Sequence, residues 1–289
     1  MELFNEEQRA SFYADGWWTD RTWASDLRAA VAAGSERLSL VDPTDRIQID
    51  GQMPRSLTWG EVDDEVRRVS AALFAAGIRR GSVVGIQLPN TVDLPIALVA
   101  VARLGAVVCP FPVQYRRHEL QQMCSLAGVQ VFFTAELAVK RTLAADAAEL
   151  IDMVPSLTSV LTAQDLAAVT DEQRAASDDY AEGLDLASAD PVTIVWTSGT
   201  EGFPKGVPRS YGEWEVLGTA CSQSPRVGSE DVLLNPFPMV NGGGLAGMFL
   251  PWLLHGCALV QHHPFDIEIF CKQIEQHRVT YTCAPPPVL

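Results

Sequence analysis

The sequence predicts a layered α/β fold of two sheets, one on each side of an acidic connector. Strand and helix patterns alternate through the first 135 residues and resume after residue 190, which argues for parallel sheets covered by helices. The 289 residues are 47% hydrophobic and 20% charged, a globular balance with room for one large domain or two medium ones. Between the two alternating runs, residues 165–190 hold eight acids against one base, Arg174. The predicted division is a first α/β subdomain over residues 1–164 with an N-terminal arm, an acidic connector over 165–190, and a second α/β subdomain over 191–289.

The elements follow in order. Trp17, Trp18 and Trp23 load the opening segment with apolar surface, so this arm should dock on the body. Residues 38–41 read as a short strand. Thr58 and Glu61 form a capping box, and Val62, Val66, Val69, Leu73 and Ala76 recur at helical spacing until Gly77. Residues 82–88 read as a strand, and Pro89-Asn90 turns the chain into a helix at 92–104. Strand 106–109, helix 118–127 and strand 129–134 complete the first run. The connector reads as a solvated stretch or surface helix, with a regulatory or partner-binding role as the alternative. Strand 192–196, helix 211–222, strand 231–234, helix 245–254 and strand 258–261 follow. Asp266 then caps a helix with Ile267, Phe270, Cys271 and Ile274 on one face, before a last strand at 279–283.

Lys plus Arg is 21 and Asp plus Glu is 36, a net charge of −15, which argues against a nucleic-acid or anionic-membrane partner for the whole chain. The longest apolar run, residues 94–102, is too short to span a bilayer, and the run 246–260 is broken by Pro251 and His255. Cys109, Cys124, Cys221, Cys257, Cys271 and Cys283 form no C-x-x-C pair, so they read as buried thiols of a reduced, cytoplasmic protein. His262 and His263 are adjacent and would point apart on a strand, and none of the five histidines is assigned to catalysis or a metal.

The most informative segment is residues 197–207, TSGTEGFPKGV, directly after an apolar strand. Its glycines let backbone N–H groups approach an anion, its hydroxyls add donors, and Lys205 supplies a mobile cation, a combination suited to polyphosphate. It is neither a Walker A loop, since Gly206 follows Lys205, nor G-x-G-x-x-G. A phosphotransferase would need a Lys-Ser/Thr pair or a catalytic Asp loop, and neither is found.

This segment closely resembles TSGTTGxPKGV, the signature loop of adenylate-forming enzymes: acyl-CoA synthetases, aryl-acid AMP ligases and adenylation domains. Residues 57–62 (LTWGEV), 104–112 (LGAVVCPFP), 236–244 (PFPMVNGGG) and 278–289 (RVTYTCAPPPVL) resemble further motifs of that family, in its order. The opening FYADGWWTDRTWASDL, with PVQYRRHEL and VPRSY, is most similar to cyclohexanecarboxylate-CoA-ligase-like synthetases and aryl-acid AMP ligases.

The resemblance implies the layered βαβ sheets of that family's N-terminal domain, and ATP-dependent activation of a small-molecule carboxylic acid to an acyl adenylate, then to a thioester of coenzyme A, with Mg²⁺. It implies that Thr197, Ser198, Gly199, Thr200, Gly202 and Lys205 cradle the ATP phosphates. Met239, Asn241, Gly242 and Gly243 would line the acyl pocket, with a turn role as the alternative for Asn241 and for the glycines. Glu201 replaces the common Thr of the loop and is expected to point outward. Met239 replaces a His and suggests an apolar acid, with plain core packing as an equal alternative. The proline-broken ending suggests that the C-terminal lid domain and the adenine, ribose and catalytic residues lie beyond Leu289. This chain alone is then expected to bind ATP weakly at best, to make no acyl adenylate, and to self-associate through an exposed edge. The competing readings are a non-catalytic nucleotide- or partner-binding module and an aryl-acid ligase that loads a carrier protein.

Overall fold

The computed structural model describes residues 1–138, 140–197 and 204–283. Eleven strands occur among them. They are β1 (Leu38–Val41), β2 (Ser56–Thr58), β3 (Val83–Gln87), β4 (Val107–Pro110), β5 (Val129–Thr134), β6 (Ser159–Leu161), β7 (Pro191–Thr197), β8 (Lys205–Ser210), β9 (Val232–Asn235), β10 (Ala258–Gln261) and β11 (Tyr281–Thr282). They form a six-stranded sheet of order β6-β5-β3-β4-β7-β8 and a five-stranded sheet of order β11-β9-β10-β1-β2. Pairing is parallel throughout except for β8 on β7 and β2 on β1, which are antiparallel edge strands.

Two sheets are present, but they do not divide at residues 165–190. The six-stranded sheet takes β7 and β8 from beyond the acidic stretch, and the five-stranded sheet takes β1 and β2 from before it. Apolar patterning marks a strand without marking its partner, and parallel strands need long crossovers that free neighbours in sequence to lie apart. The acidic stretch is also less solvated than its charge suggests. It contains the helix Asp171–Glu182, capped by Thr170, which packs on the helix Trp59–Ala75. There Asp178, 9% exposed, accepts hydrogen bonds from Arg67 and from Arg103 at 2.8 Å.

The helices between the sheets follow from local chemistry. Trp59–Ala75 starts where Thr58 Oγ1 accepts from the Glu61 backbone N–H at 3.3 Å and the Glu61 carboxylate accepts from the Thr58 N–H at 2.8 Å. Asp93–Arg103 is apolar on every side from Leu94 to Ala102, and all nine residues are buried, as expected of a helix covered all round. Pro95 is tolerated because it stands in the first turn. Ser70 Oγ donates to the Ala100 carbonyl at 3.1 Å and joins the two helices. One core runs from Leu40, Leu233 and Leu259 of one sheet, through these helices, to Val84, Ile86 and Val108 of the other.

The arm docks, as its tryptophans suggest, through helices that the pattern did not disclose, Glu6–Ala14 and Trp23–Gly34. Trp18 and Trp23 are buried and Trp17 is exposed. The six cysteines are free, but only Cys109, Cys124 and Cys257 are buried; Cys221 and Cys283 are half-buried and Cys271 is exposed, against the expectation of buried thiols. His262 and His263 lie just after β10 rather than within a strand. His262 Nδ1 sits 2.6 Å from Gln273 Oε1, and its Nε2 accepts from the Asp266 N–H, so the ring has a structural task and Nδ1 carries the proton.

Candidate functional site

The signature loop closes the hairpin of β7 and β8. Ser198, Gly199, Thr200, Glu201 and Gly202 lie outside the described residues. Thr197 and Lys205 frame them as a cross-strand pair, both exposed, with Thr197 Oγ1 3.5 Å from the Lys205 carbonyl oxygen. The strand leading into the loop is pinned from below. Trp196 stacks on Phe111 with ring centroids 6.2 Å apart, and its Nε1–H donates to Cys109 Sγ at 3.2 Å. Burial pushes that thiol up to about 12, so it stays neutral and can accept. Across the hairpin, a Cβ on Gly206 would stand 2.9 Å from Ile194 Cγ2 and 3.3 Å from the Trp196 ring, so glycine is what lets the two strands close. Beyond β8 the helix Tyr211–Gln223 is capped by Ser210, whose Oγ accepts from the Glu213 N–H at 3.2 Å.

The second predicted segment, residues 236–244, leaves the C-terminal end of β9. Met239 is fully buried in the main core. Asn241, Gly242 and Gly243 are exposed and form one turn. Asn241 Oδ1 accepts from the Gly244 N–H at 2.9 Å and caps the short helix Gly242–Gly244, which continues into a π-helical turn, Leu245–Phe249. A Cβ on Gly244 would meet the Pro238 carbonyl oxygen at 2.5 Å, whereas one on Gly242 would meet open space. The structure thus brings Thr197 to Lys205, and Asn241 to Gly242 and Gly243, while Met239 is directed into packing. Both segments leave the C-terminal ends of strands in parallel sheets, where open α/β folds bind ligands.

Patterning missed a set of buried amides. β3, β9 and β10 each end on one: Gln87, Asn235 and Gln261, all 0% exposed. Asn235 Nδ2 donates to Gln261 Oε1 at 2.9 Å, and Asn90, three residues past β3, is 4% exposed. The available signal was an apolar run closing on Asn or Gln, which an otherwise continuous hydrophobic strand does not require. Among the described residues, no group of three or more His, Cys, Asp or Glu is placed to hold a metal ion, and no helix is long and apolar enough to cross a membrane.

Known proteins are similar to this chain in sequence and in fold. A salicyl-AMP ligase / salicyl-S-ArCP synthetase of Mycobacterium tuberculosis is 28% identical over 292 residues, 98% of this chain and 50% of that protein. A 4-coumarate–CoA ligase of Oryza sativa subsp. japonica is 30% identical over 265 residues, 83% of this chain and 44% of that one. The chain spans about half the length of the curated relatives it matches. In fold it is similar to the apo structure of Mycobacterium smegmatis MbtA, with a TM-score of 0.82 at 24% identity, covering 99% of this chain and 52% of the other. It is also similar to the N-terminal domain of FACL13 from Mycobacterium tuberculosis, with a TM-score of 0.76 at 21% identity over 93% of this chain and 64% of the other. Residues 28–289 match the AMP-binding enzyme family. With the signature loop on the β7–β8 hairpin and the two-sheet body beneath it, this chain belongs to that family of adenylate-forming enzymes.

Proposed function

We propose that the chain supplies the ATP-phosphate and acyl sites of a ligase that activates an apolar carboxylic acid, aromatic, alicyclic or medium-chain, and passes it to the thiol of coenzyme A. The observation that carries this reading is the signature loop on a hairpin whose base sets Thr197 beside Lys205. In the proposed reaction a carboxylate oxygen of the acid attacks the α-phosphorus of ATP, the bond to the bridging oxygen breaks, and pyrophosphate leaves. The thiol sulfur then attacks the acyl carbon, AMP departs, and the thiol proton passes to solvent. Ser198, Gly199, Thr200 and Gly202, with Thr197 and Lys205, hold the phosphates in line, and Lys205 offsets charge on the leaving pyrophosphate. Mg²⁺ enters on the phosphates of ATP and neutralises part of their charge; no step is assigned to a metal held by the described side chains.

Residues 236–244 wall the acyl group, with Gly242 and Gly243 admitting it close to the backbone. The buried thioether of Met239 keeps that wall apolar from behind. A cleft lined by Arg116, Arg117, Lys140 and Arg141, where Glu149 pairs Arg117 at 2.9 Å and Asp146 pairs Arg141 at 2.7 Å, keeps a surplus of cations that suits the phosphates of coenzyme A. The second reading, an acceptor thiol on a carrier protein, is favoured by the likeness over 98% of the chain to the salicyl-AMP ligase / salicyl-S-ArCP synthetase.

Acid-dependent ATP–pyrophosphate exchange, run on the complete protein containing these 289 residues with a panel of aryl, alicyclic and medium-chain acids, tests the adenylation step. Exchange with none of them overturns the reading, and thioester formation with added coenzyme A separates the two acceptors.

A further inference from the structure

The segment Pro236-Phe237-Pro238-Met239 leaves β9 without belonging to a strand or helix. Its two prolines have no N–H, so only Phe237 and Met239 can donate from the backbone. Both donate to side-chain amides. Phe237 N–H reaches Asn235 Oδ1 at 3.1 Å, and Met239 N–H reaches Asn90 Oδ1 at 3.1 Å. Asn90 also returns a bond: its Nδ2 donates to the Phe237 carbonyl oxygen and, at 3.4 Å, to that of His262. One buried amide thus holds the backbone on both sides of Pro238 and ties it to the exit of β10.

Asn90 is itself fixed. It follows Pro89 in the turn out of β3, where Thr91 N–H donates to the Pro89 carbonyl at 2.7 Å. Val92 N–H, at the start of the next helix, donates to Asp42 Oδ1 at 2.9 Å, just past the end of β1. The task needs both polarities on one short side chain. Leucine of similar size offers neither, and an ionised aspartate accepts but cannot donate to the two carbonyls. Buried polar groups are costly unless paired, so the three bonds stand or fall together.

We propose that Asn90 is a positioning residue for the acyl site: its side-chain amide grips the backbone of Phe237 and Met239 and so sets where residues 236–244 stand against the bound acid. This rests on the reading of residues 236–244 as the wall of that site. Asn90 acts through the segment and not on the phosphates, which the β7–β8 hairpin of the other sheet holds.

The test has two arms. In the 289-residue chain, hydrogen exchange at the Met239 amide, followed by NMR, should quicken about tenfold or more in Asn90→Leu, while amides of the β7–β8 hairpin keep their rates. An unchanged Met239 rate, or the same acceleration throughout the chain, overturns the proposal. In the complete protein, with an acid that supports exchange, Asn90→Leu should raise KM for the acid about tenfold while KM for ATP stays within about twofold. Equal rises in both overturn it. If Asn90→Leu fails to fold, Asn90→Asp, which retains the acceptor and loses both donors, is read by the same KM split. Failure of every acid with the unaltered protein would sink the reading of the site, while the exchange arm still decides whether Asn90 holds the segment.

Discussion

Gly212→Ala sets two effects of opposite sign against each other. Gly212 is the second residue of the helix Tyr211–Gln223, where alanine is favoured over glycine by about 0.8–1 kcal/mol. The added Cβ, however, would stand 2.5 Å from Cδ1 and 2.6 Å from Cε2 of Trp18, and would also strike its Nε1. Trp18 is 4% exposed and packed by Phe4, Phe12 and Tyr13, and it can yield only toward the open groove that it lines with Trp17 and Leu217, at the cost of those contacts. An indole buries about 150–250 Å², and at about 25 cal/mol per Å² its expulsion costs at most about 4–6 kcal/mol. The helix gain is made whether or not the arm is docked, so the clash alone acts on docking, by up to about 4–6 kcal/mol, and about 3 kcal/mol of it multiplies the undocked population roughly a hundredfold. Undocking also breaks the bond from Thr19 Oγ1 to Glu215 at 2.6 Å and the paired bonds between Asp20 and Ser188. Trypsin cleavage after Arg21 under native conditions reads that population. The expected result is cleavage about a hundredfold faster in Gly212→Ala. In a Trp18→Ala background the same substitution should be harmless or slightly stabilising. An unchanged cleavage rate, or a raised Tm in the single variant, would refute the packing argument.

Two further outcomes are expected. Lys205→Ala in the complete protein should raise KM for ATP roughly ten- to a hundredfold with the fold intact, because a charge-assisted contact is worth about 1.5–3 kcal/mol; unchanged ATP kinetics would remove Lys205 from the site. Burial pushes Asp26 up to about 6, outweighing Arg21 at 2.7 Å, whose own side chain is 42% exposed and therefore screened. The folded chain then holds this proton more tightly than the unfolded chain, so the carboxyl's contribution to stability falls as pH rises from about 4 to about 6, by up to about 3 kcal/mol. Denaturant titrations of wild type and Asp26→Asn should diverge across that window, with wild type losing ground as pH rises; parallel profiles would contradict it.

Local chemistry was the legible part. The helix predicted from Thr58 to a stop at Gly77 is found over Trp59–Ala75, because a capping box and a positive-φ glycine (φ 92° at Gly77) act within a few residues of sequence. The Asp266 cap is equally local, with Oδ1 accepting from the Glu268 and Ile269 N–H groups. β8 was hidden inside the signature motif because Gly206 and Pro208 argue against a strand. An edge position tolerates both, since among the described residues one side of β8 has no partner strand. Asn90 was overlooked because its partners are backbone groups far away in sequence, and Asn235 because its amide pairs with the Gln261 side chain of another strand; no periodicity reports either. Lys205 was placed in the site from the motif alone; its position opposite Thr197 depends on the hairpin register, which the motif does not state.

The mixed ancestry of the five-stranded sheet has a consequence in time. Leu40 of β1 pairs with Leu259 of β10. On a ribosome adding about 5–20 residues per second, β1 and β2 emerge and wait on the order of tens of seconds before their partner exists. During that wait the apolar faces of both strands are uncovered, and the early chain depends on provisional cover, its own or a chaperone's. The same pairing means that expressing the two sides of the acidic stretch as separate polypeptides would give neither one a finished sheet. Such halves should stay insoluble apart and recover the fold only when made together.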